Sequence, residues 1–385
     1  MILQNQLESI KEAIRKAEYV SFDIYDTLIV RSFWNPTDLF YLLEKKFESV
    51  YDGYIGFREL RMNGEDLLRK QIKKSDTLCE DVTLTEIYEF ISEFYNIEES
   101  LCDRIKQSEI ELELQCSKMR KNGVDLLQYA IEQGKYIVLC SDMYLDESII
   151  LKILEKENIT GWKRLFLSSS LRKLKRTGTL YKEMIKMMGC SAEKILHIGD
   201  DKTSDVDRAK ESGIKACLFP RTKECFQWEH FKRTREFGLF AAGRLINYRE
   251  VEKSVGYNSM LAIVANKFFD DSETWEFFER NGTFSPYCIG YYLIGMHVVG
   301  LVKWIAEIVK NRGSKKLHFL SRDGWLIKKI YDLYSNFDEN VPDSDYLYVS
   351  REALLPALVG EAVDLFDLPI EYKKYSPQAI LNLLK

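Results

Sequence analysis

Four short stretches of this 385-residue chain put chemically capable side chains directly after apolar runs. The first, Ser21-Phe22-Asp23-Ile24-Tyr25-Asp26-Thr27-Leu28, sets the Asp23 carboxylate where an aspartate can serve as a covalent nucleophile towards phosphorus or carbon. The second, Leu139-Cys140-Ser141-Asp142, offers a hydroxyl that can donate to a phosphoryl oxygen. The third, Arg172-Lys173-Leu174-Lys175-Arg176, is either a solvated basic loop or a phosphate-facing one. Lys175 is the candidate within it, because it directly precedes Arg-Thr-Gly, a turn that would point it inward. The fourth runs from His197 through Gly199, Asp200 and Asp201 to Asp205. Its clustered carboxylates repel one another unless a cation lies among them, and such hard oxygen ligands suit Mg²⁺. Alone, each stretch also reads as a turn or a helix cap. Their weight comes from falling at successive strand ends, where open parallel sheets bind ligands.

The elements that must position them follow from periodicity. Short apolar strands are expected at Tyr19–Phe22, Tyr136–Cys140, Arg164–Leu167, Lys194–Ile198 and Ile214–Phe219. Helical stretches such as Glu147–Glu157 and Leu180–Met188 alternate with them, which predicts an α/β fold with a Rossmann-like parallel sheet. A helical insert, about residues 30–122, separates the first two strands and should cap their ends. It has Asp38–Phe47, a charge-rich Phe57–Ile72, Thr83 to Phe94 opening on a capping box, and Ile97–Lys121 ended by Asn122-Gly123. Arg58, Arg61 and Glu65 share a helical spacing that reads as an exposed ion-paired face, or as one turned to the substrate. Arg31, beside the entrance, is the better substrate contact.

Together the four stretches resemble, in order and spacing, the motifs of the haloacid dehalogenase (HAD) superfamily over roughly residues 15–220. Phe-Asp-x-x-x-Thr-Leu looks like the first motif, Ser141 the second, Lys175 the third, and Gly199 to Asp205 the fourth. The insert is similar to the helical cap of that superfamily's first subclass. The resemblance implies a phosphatase or phosphotransferase in which Asp23 attacks phosphorus. Asp23, Asp200 and the Tyr25 backbone carbonyl would hold Mg²⁺ with support from Asp205, while Ser141, Asp142 and Lys175 would hold the phosphoryl group. One departure matters: Tyr25 stands where phosphatases of the family carry a second aspartate, and Asp26 comes one place later. A tyrosine there is similar to the metal-free dehalogenase branch. It leaves Asp26 as the remaining candidate acid–base, and it keeps two alternatives open, a dehalogenase and a catalytically weak binding or scaffold module.

The wider motif pattern, with Phe319-Leu-Ser-Arg-Asp-Gly324 and Tyr348-Val-Ser-Arg351, looks like a bacterial group of predicted hydrolases associated with surface-polysaccharide synthesis. That likeness implies a sugar-phosphate or nucleotide-sugar substrate, with glycosyltransferases or polysaccharide-synthesis proteins as partners. Arg322 and Arg351 each follow an expected strand and suit either a second anionic ligand or a turn. The domain plan is a hydrolase domain at 1–220, a linker at 221–235 and a C-terminal α/β domain at 236–385, whose last element, a helical Gln378–Lys385, looks incomplete. A net charge of −5 gives no footprint for nucleic acid or an anionic membrane. The eight cysteines form no CxxC pair and read as reduced, buried small hydrophobes. Tyr287 to Val302 carries no formal charge but is shorter than the roughly 18 residues that suggest a membrane span, so a buried helix is expected there. With no signal-peptide pattern at the N-terminus, the expected setting is cytoplasmic.

Overall fold

The computed structural model describes residues 2–49, 55–76, 78–227, 255–270 and 286–349, with 376 and 378. It divides into two compact units, Met1–Thr283 and Phe284–Lys385. In the first, helix α1 (Ile2–Lys16) leads into β1 (Tyr19–Phe22), then a short β2 (Ile29–Arg31). Four helices follow: α2 (Asp38–Phe47), α3 (Phe57–Ser75), α4 (Leu84–Tyr95) and α5 (Glu99–Cys116). The chain returns through β3 (Ser117–Met119) and α6 (Lys121–Glu132) to β4 (Tyr136–Ser141). There follow α7 (Glu147–Lys156), β5 (Arg164–Leu167), α8 (Thr179–Met188), β6 (Ile195–Gly199) and β7 (Lys215–Leu218).

The sheet has the order β5-β4-β1-β6-β7, with every pair parallel. This is the Rossmann-like arrangement expected. Successive residues of β4 turn to opposite faces, and both faces are covered. Ile137 and Leu139 join the core shared with α1, α6 and α7, whereas Val138 and Cys140 pack with Leu180, Tyr181 and Met184 of α8. Burial on both faces is why these strands read as continuous apolar runs. From β1 the chain moves outward to β4 and β5, then crosses back to β6 and continues outward on the other side. The topological switch point therefore lies between β1 and β6, and it is there that an open α/β sheet leaves a binding crevice.

The helical insert is bounded by an antiparallel ribbon in which Ile29 pairs with Met119 and Arg31 with Ser117. Its α4 opens on the capping box of Thr83 and Glu86. The insert reaches the loops after β4 and β5: Leu84 N donates to Tyr144 O at 2.8 Å and Glu80 N to Arg172 O at 3.0 Å. It thus covers the carboxyl ends of the strands. Asn122-Gly123 does not end a long helix as expected, because α5 stops at Cys116 and the pair sits in the first turn of α6. The reason is packing: a Cβ on Gly123 would lie 1.8 Å from the Thr27 carbonyl oxygen. The expected exposed face on α3 is absent as well. Arg61 is fully buried, bonded to Glu109 and Glu65 among the rings of Phe40, Tyr88 and Tyr144.

A further helix, α9 (Val255–Phe268), belongs to the first unit. Asn266 donates to Arg31 O at 2.9 Å, Asn258 to Asp38 at 3.3 Å, and Asp270 accepts from Arg120 at 2.8 Å. These contacts carry the unit past the 221–235 linker expected from composition.

In the second unit, β8 (Lys316–Leu320) pairs in parallel with β9 (Asp343–Leu347), flanked by α10 (Gly295–Asn311) and α11 (Gly324–Ser335). Its small core joins Val302, Ala306, Phe319 and Tyr331. The uncharged stretch before Val302 is helical, and among its described side chains Tyr287, Ile294 and Val299 are about half exposed rather than buried as expected, while Val302 and Ala306 meet the core. No helix among the described residues is long and apolar enough to cross a membrane. Arg351 and most of Gln378–Lys385 lie outside the described residues.

Gly123→Ala should lower the unfolding free energy by about 2–3 kcal/mol, the cost of overpacking against backbone that cannot easily give way. Urea denaturation measures it. Wild-type stability in the variant would mean that the Thr27 loop can shift.

Candidate active site

Asp23 directly follows β1, and its N–H donates to Ile198 O on β6 at 2.9 Å. The chain then turns tightly. Leu28 and Ile29 both donate to Ile24 O, and Asp26 takes a left-handed conformation at φ 57°. Aspartate is among the few residues that tolerate this backbone. The turn buries Ile24 and Thr27, and leaves the Asp26 carboxylate 37% exposed at the rim.

Lys175 is buried with its ammonium between two carboxylates, 2.6 Å from Asp23 Oδ1 and 2.6 Å from Asp205 Oδ1. The loop carrying it is shaped by Asp142, whose oxygens accept from Lys175 N at 2.7 Å and Arg176 N at 3.2 Å. It closes at Gly178, with φ +80°, whose N–H donates to Lys175 O at 2.8 Å. The basic run is thereby divided. Lys175 turns inward, whereas Arg172 pairs with Glu86 and Lys173 donates to Leu78 O, both on the insert.

Beyond β6, Asp201 caps the wide helical turn Lys202–Asp207 by accepting from the N–H groups of Thr203 and Ser204. Asp205 then folds back: its Oδ2 accepts from Asp201 N at 2.9 Å, and its Oδ1 faces His197 Nε2 at 3.3 Å. Only glycine fits at 199, where a Cβ would lie 2.4 Å from the Asp205 carboxylate. His197 is oriented from its other side by Ser21 Oγ, 2.9 Å from Nδ1.

Oxygens of Asp23, Asp200 and Asp205, all buried, lie within 4.8 Å of one another at the β1/β6 switch point, close enough to hold one metal ion. The electrostatics are those of a crowded anionic site. Burial raises the Asp23 carboxyl above its ordinary value against the pull of Lys175. Burial and repulsion from Asp23, Asp26 and Asp205 raise Asp200 further, against Arg221. Burial would raise Asp205 too, but Lys175 and His197 hold it well below the usual carboxylate range. A cation is what this donor set calls for, since hard carboxylate oxygens suit Mg²⁺ and would be ionised by it.

The remaining candidates are placed less uniformly. Ser141 is buried at the end of β4. Asp142 is engaged by backbone amides, so it shapes the lysine loop. Arg31, expected as a substrate contact, is instead spent on the insert. It donates through Nε and Nη2 to Glu113 at 2.9 Å, and its guanidinium lies 3.8 Å from the centre of the Tyr25 ring. The Tyr25 phenol approaches Glu113 at 3.5 Å. Burial and Glu113 push that phenol well above its ordinary value despite Arg31. Arg322 is exposed in the second unit. Beside Asp26 and Arg31 lies a cavity of about 20 Å³, also lined by Trp34, Lys223 and Asn266. It has room for about one water and not for a sugar.

Sequence reasoning gave no role to two groups beside the carboxylates, the buried Thr27 and the rim residue Arg221. Thr27 Oγ1 is 3.5 Å from Asp200 Oδ1. Arg221 donates through Nε to Asp200 Oδ2 and lies 3.9 Å from Asp26 and 3.6 Å from Asp201. It follows the end of β7, the same kind of strand-end position that marked the other candidates, in a segment that read as a linker.

No family model and no curated protein matches the chain. Among solved structures it is similar to the HAD-hydrolase YfnB from Bacillus subtilis bound to magnesium, at 15% identity over 53% of this chain and 88% of that one, with a TM-score of 0.39. It is similar to the L-2-haloacid dehalogenase PA0810 at 12% identity over 54% and 85%, TM-score 0.39. It is similar to a HAD family enzyme from Bacteroides thetaiotaomicron in complex with magnesium and inorganic phosphate at 16% identity over 52% and 93%, TM-score 0.37. At such identities and scores, the chemistry of the site rests on its own geometry.

The Asp142 carboxyl is pushed up to about 6, chiefly by burial, with Lys175 opposing. Between its ordinary value of 3.8 and about 6 the folded state holds a proton that the unfolded chain has lost, so this group's contribution to stability falls as pH rises through that window. NMR titration should find this carboxyl half-ionised near pH 6. Asp142→Asn should flatten the corresponding part of the stability profile, and an unchanged slope between pH 4 and 6 would count against the assignment.

Proposed function

We propose that the protein is a magnesium-dependent phosphatase or phosphotransferase of the HAD type, with Asp23 as nucleophile and a small phosphorylated metabolite as substrate. The observation that carries this reading is the convergence of Asp23, Asp200 and Asp205 with Lys175 at one switch point of a parallel sheet. A sugar phosphate is the substrate class favoured by the motif resemblance. The same resemblance suggests partners among glycosyltransferases or polysaccharide-synthesis proteins.

Magnesium, held by Asp23, Asp200 and the Tyr25 carbonyl with Asp205 in support, would neutralise charge on the phosphoryl oxygens. The protein's own groups supply the rest. Lys175 holds Asp23 Oδ1, which leaves Oδ2 to attack phosphorus in line. The ester P–O bond breaks, the leaving oxygen takes a proton, and the phosphoryl group resides on Asp23. Lys175 and the Ser141 hydroxyl hold its oxygens, so that positioning and charge neutralisation carry the catalysis. Water then attacks phosphorus, the P–O bond to Asp23 breaks, and inorganic phosphate leaves. The insert must open for a sugar-sized group to enter, and its closure excludes water.

The proton steps set the rate. The Tyr25 phenol is committed to Glu113 and Arg31 and has its acidity suppressed, so it is a poor base. Asp26 is the available carboxylate at the rim. This supports a second reading, a slow enzyme whose phosphorylated form accumulates and which serves partly as a binding module. The three-carboxylate cluster argues against the metal-free dehalogenase alternative.

Wild-type protein with Mg²⁺ should hydrolyse aryl phosphates faster than sugar phosphates. Without a well-placed acid–base group its turnover should be roughly 10²–10⁴-fold below that of an enzyme that has one. Acid quenching should trap a phosphoprotein in wild type and none in Asp23→Asn. Asp200→Ala should abolish thermal stabilisation by Mg²⁺. Absence of both Mg²⁺ binding and a phosphoprotein would overturn the proposal, and fast sugar-phosphate hydrolysis unaffected by Asp26→Asn would overturn the account of the proton.

A further inference from the structure

The geometry points to Arg221 as an internal cation that competes with a divalent ion for Asp200 and must give way when one binds. The inference rests on the magnesium reading above and assigns a role to a residue outside the four motifs.

Three observations carry it. First, Lys175 bridges Asp23 and Asp205 but makes no bond to Asp200, and Arg221 is the only cation bonded to Asp200 among the described residues. Second, for the three clustered carboxylates and the two cations bonded to them, exchange leaves less net charge than addition. The three clustered carboxylates carry −3, and Lys175 with Arg221 brings the sum to −1. A divalent ion added beside both cations gives +1, whereas one that replaces Arg221 gives 0. A buried site tolerates net charge poorly, so the neutral exchange is favoured over simple addition. Third, the guanidinium has somewhere to go. Arg221 is 28% exposed at the rim, and the Asp26 and Asp201 carboxylates, 37% and 44% exposed, already lie 3.9 and 3.6 Å from it. A small swing transfers it from Asp200 to these two groups without stranding a charge.

Such exchange has a physical consequence. Arg221 compensates Asp200 and so helps to keep the carboxylate cluster assembled. In return it weakens metal affinity, because the incoming ion must break an existing charge-assisted bond. Competition between two ligands for one group is a coupling free energy, and removing the competitor returns it to the other ligand.

The test is Mg²⁺ titration by calorimetry, with thermal melts in EDTA and in saturating Mg²⁺, on the full chain as wild type, Arg221→Gln and Arg221→Lys. Arg221→Gln should bind Mg²⁺ about tenfold more tightly, in the range typical of such coupling. It should melt earlier than wild type in EDTA and regain the difference in Mg²⁺, which shows that its fold is intact. Arg221→Lys should lie between the two. The gap in affinity should narrow at high salt, as screening weakens the exposed part of the interaction. A merely structural role for Arg221 would weaken metal binding in the variant, not tighten it. Equal or weaker affinity in Arg221→Gln, with wild type binding normally, would overturn the inference alone. No binding heat from any of the three proteins would overturn the magnesium reading, and the inference with it.

Discussion

The ammonium of Lys175, buried between Asp23 and Asp205, is the interaction around which the first unit is organised. Two carboxylates and an amine removed from water are each costly, and they persist only if paired with good geometry. Much of the nearby structure follows from that requirement. Asp142 holds the backbone amides of Lys175 and Arg176, and Gly178 closes the loop with a backbone few other residues accept. Gly199 leaves room for Asp205 to fold back, and His197 with Ser21 holds its far side. The parallel sheet brings these segments together because its switch point puts the ends of β1 and β6 side by side.

A second set of buried charges ties the helical insert to the loops after β1 and β4. Arg31, on the ribbon that forms the stem of the insert, pairs with Glu113 near the end of α5, with the Tyr25 ring against the guanidinium. Arg61 and Glu109 pair within the insert and reach Tyr144 on the loop after β4. Breaking a buried pair by removing one partner is far more disruptive than losing an exposed one, so these contacts specify one seating of the insert. They also fix Tyr25. Its ring packs on the Arg31 guanidinium at the stem, and its hydroxyl is directed at Glu113.

Arg120 makes a third connection, this time to the chain beyond the sheet. Its guanidinium bonds Asp270, the Asp26 carbonyl and the Pro220 carbonyl, and lies 3.7 Å from the centre of the Phe219 ring. One buried side chain thus joins the loop after β1, the end of β7 just before Arg221, and the segment after α9. Thr222 and Asn266 continue the link to the Arg31 carbonyl. The rim of the site is therefore built by residues far outside the motifs, and a segment with the composition of a linker becomes part of the wall.

Local pattern was enough for the strands, for the Thr83 capping box and for the four strand ends that carry Asp23, Ser141, Lys175 and Asp200. Continuous apolar runs, caps and turns are encoded over a few residues, and the order of strands in a parallel sheet dictates which ends can converge. Lys175 could be picked from a run of basic residues because the Gly178 turn is local too. The partners of the arginines were not legible. Arg31 and Glu113 are 82 residues apart, and Arg120 and Asp270 are 150 apart. Spacing says nothing about such pairs, so Arg61 read as exposed and Arg31 as free for substrate. Asn122-Gly123 read as a helix end for the same reason, since its small size serves a close approach to Thr27 that only the folded chain brings about. The sequence by itself determined the five strands of the parallel sheet and the carboxylates that follow them. Tertiary structure alone decided which cation neutralises each carboxylate, because a buried charge is satisfied by whatever group the fold brings within hydrogen-bonding distance, whatever its place in the chain.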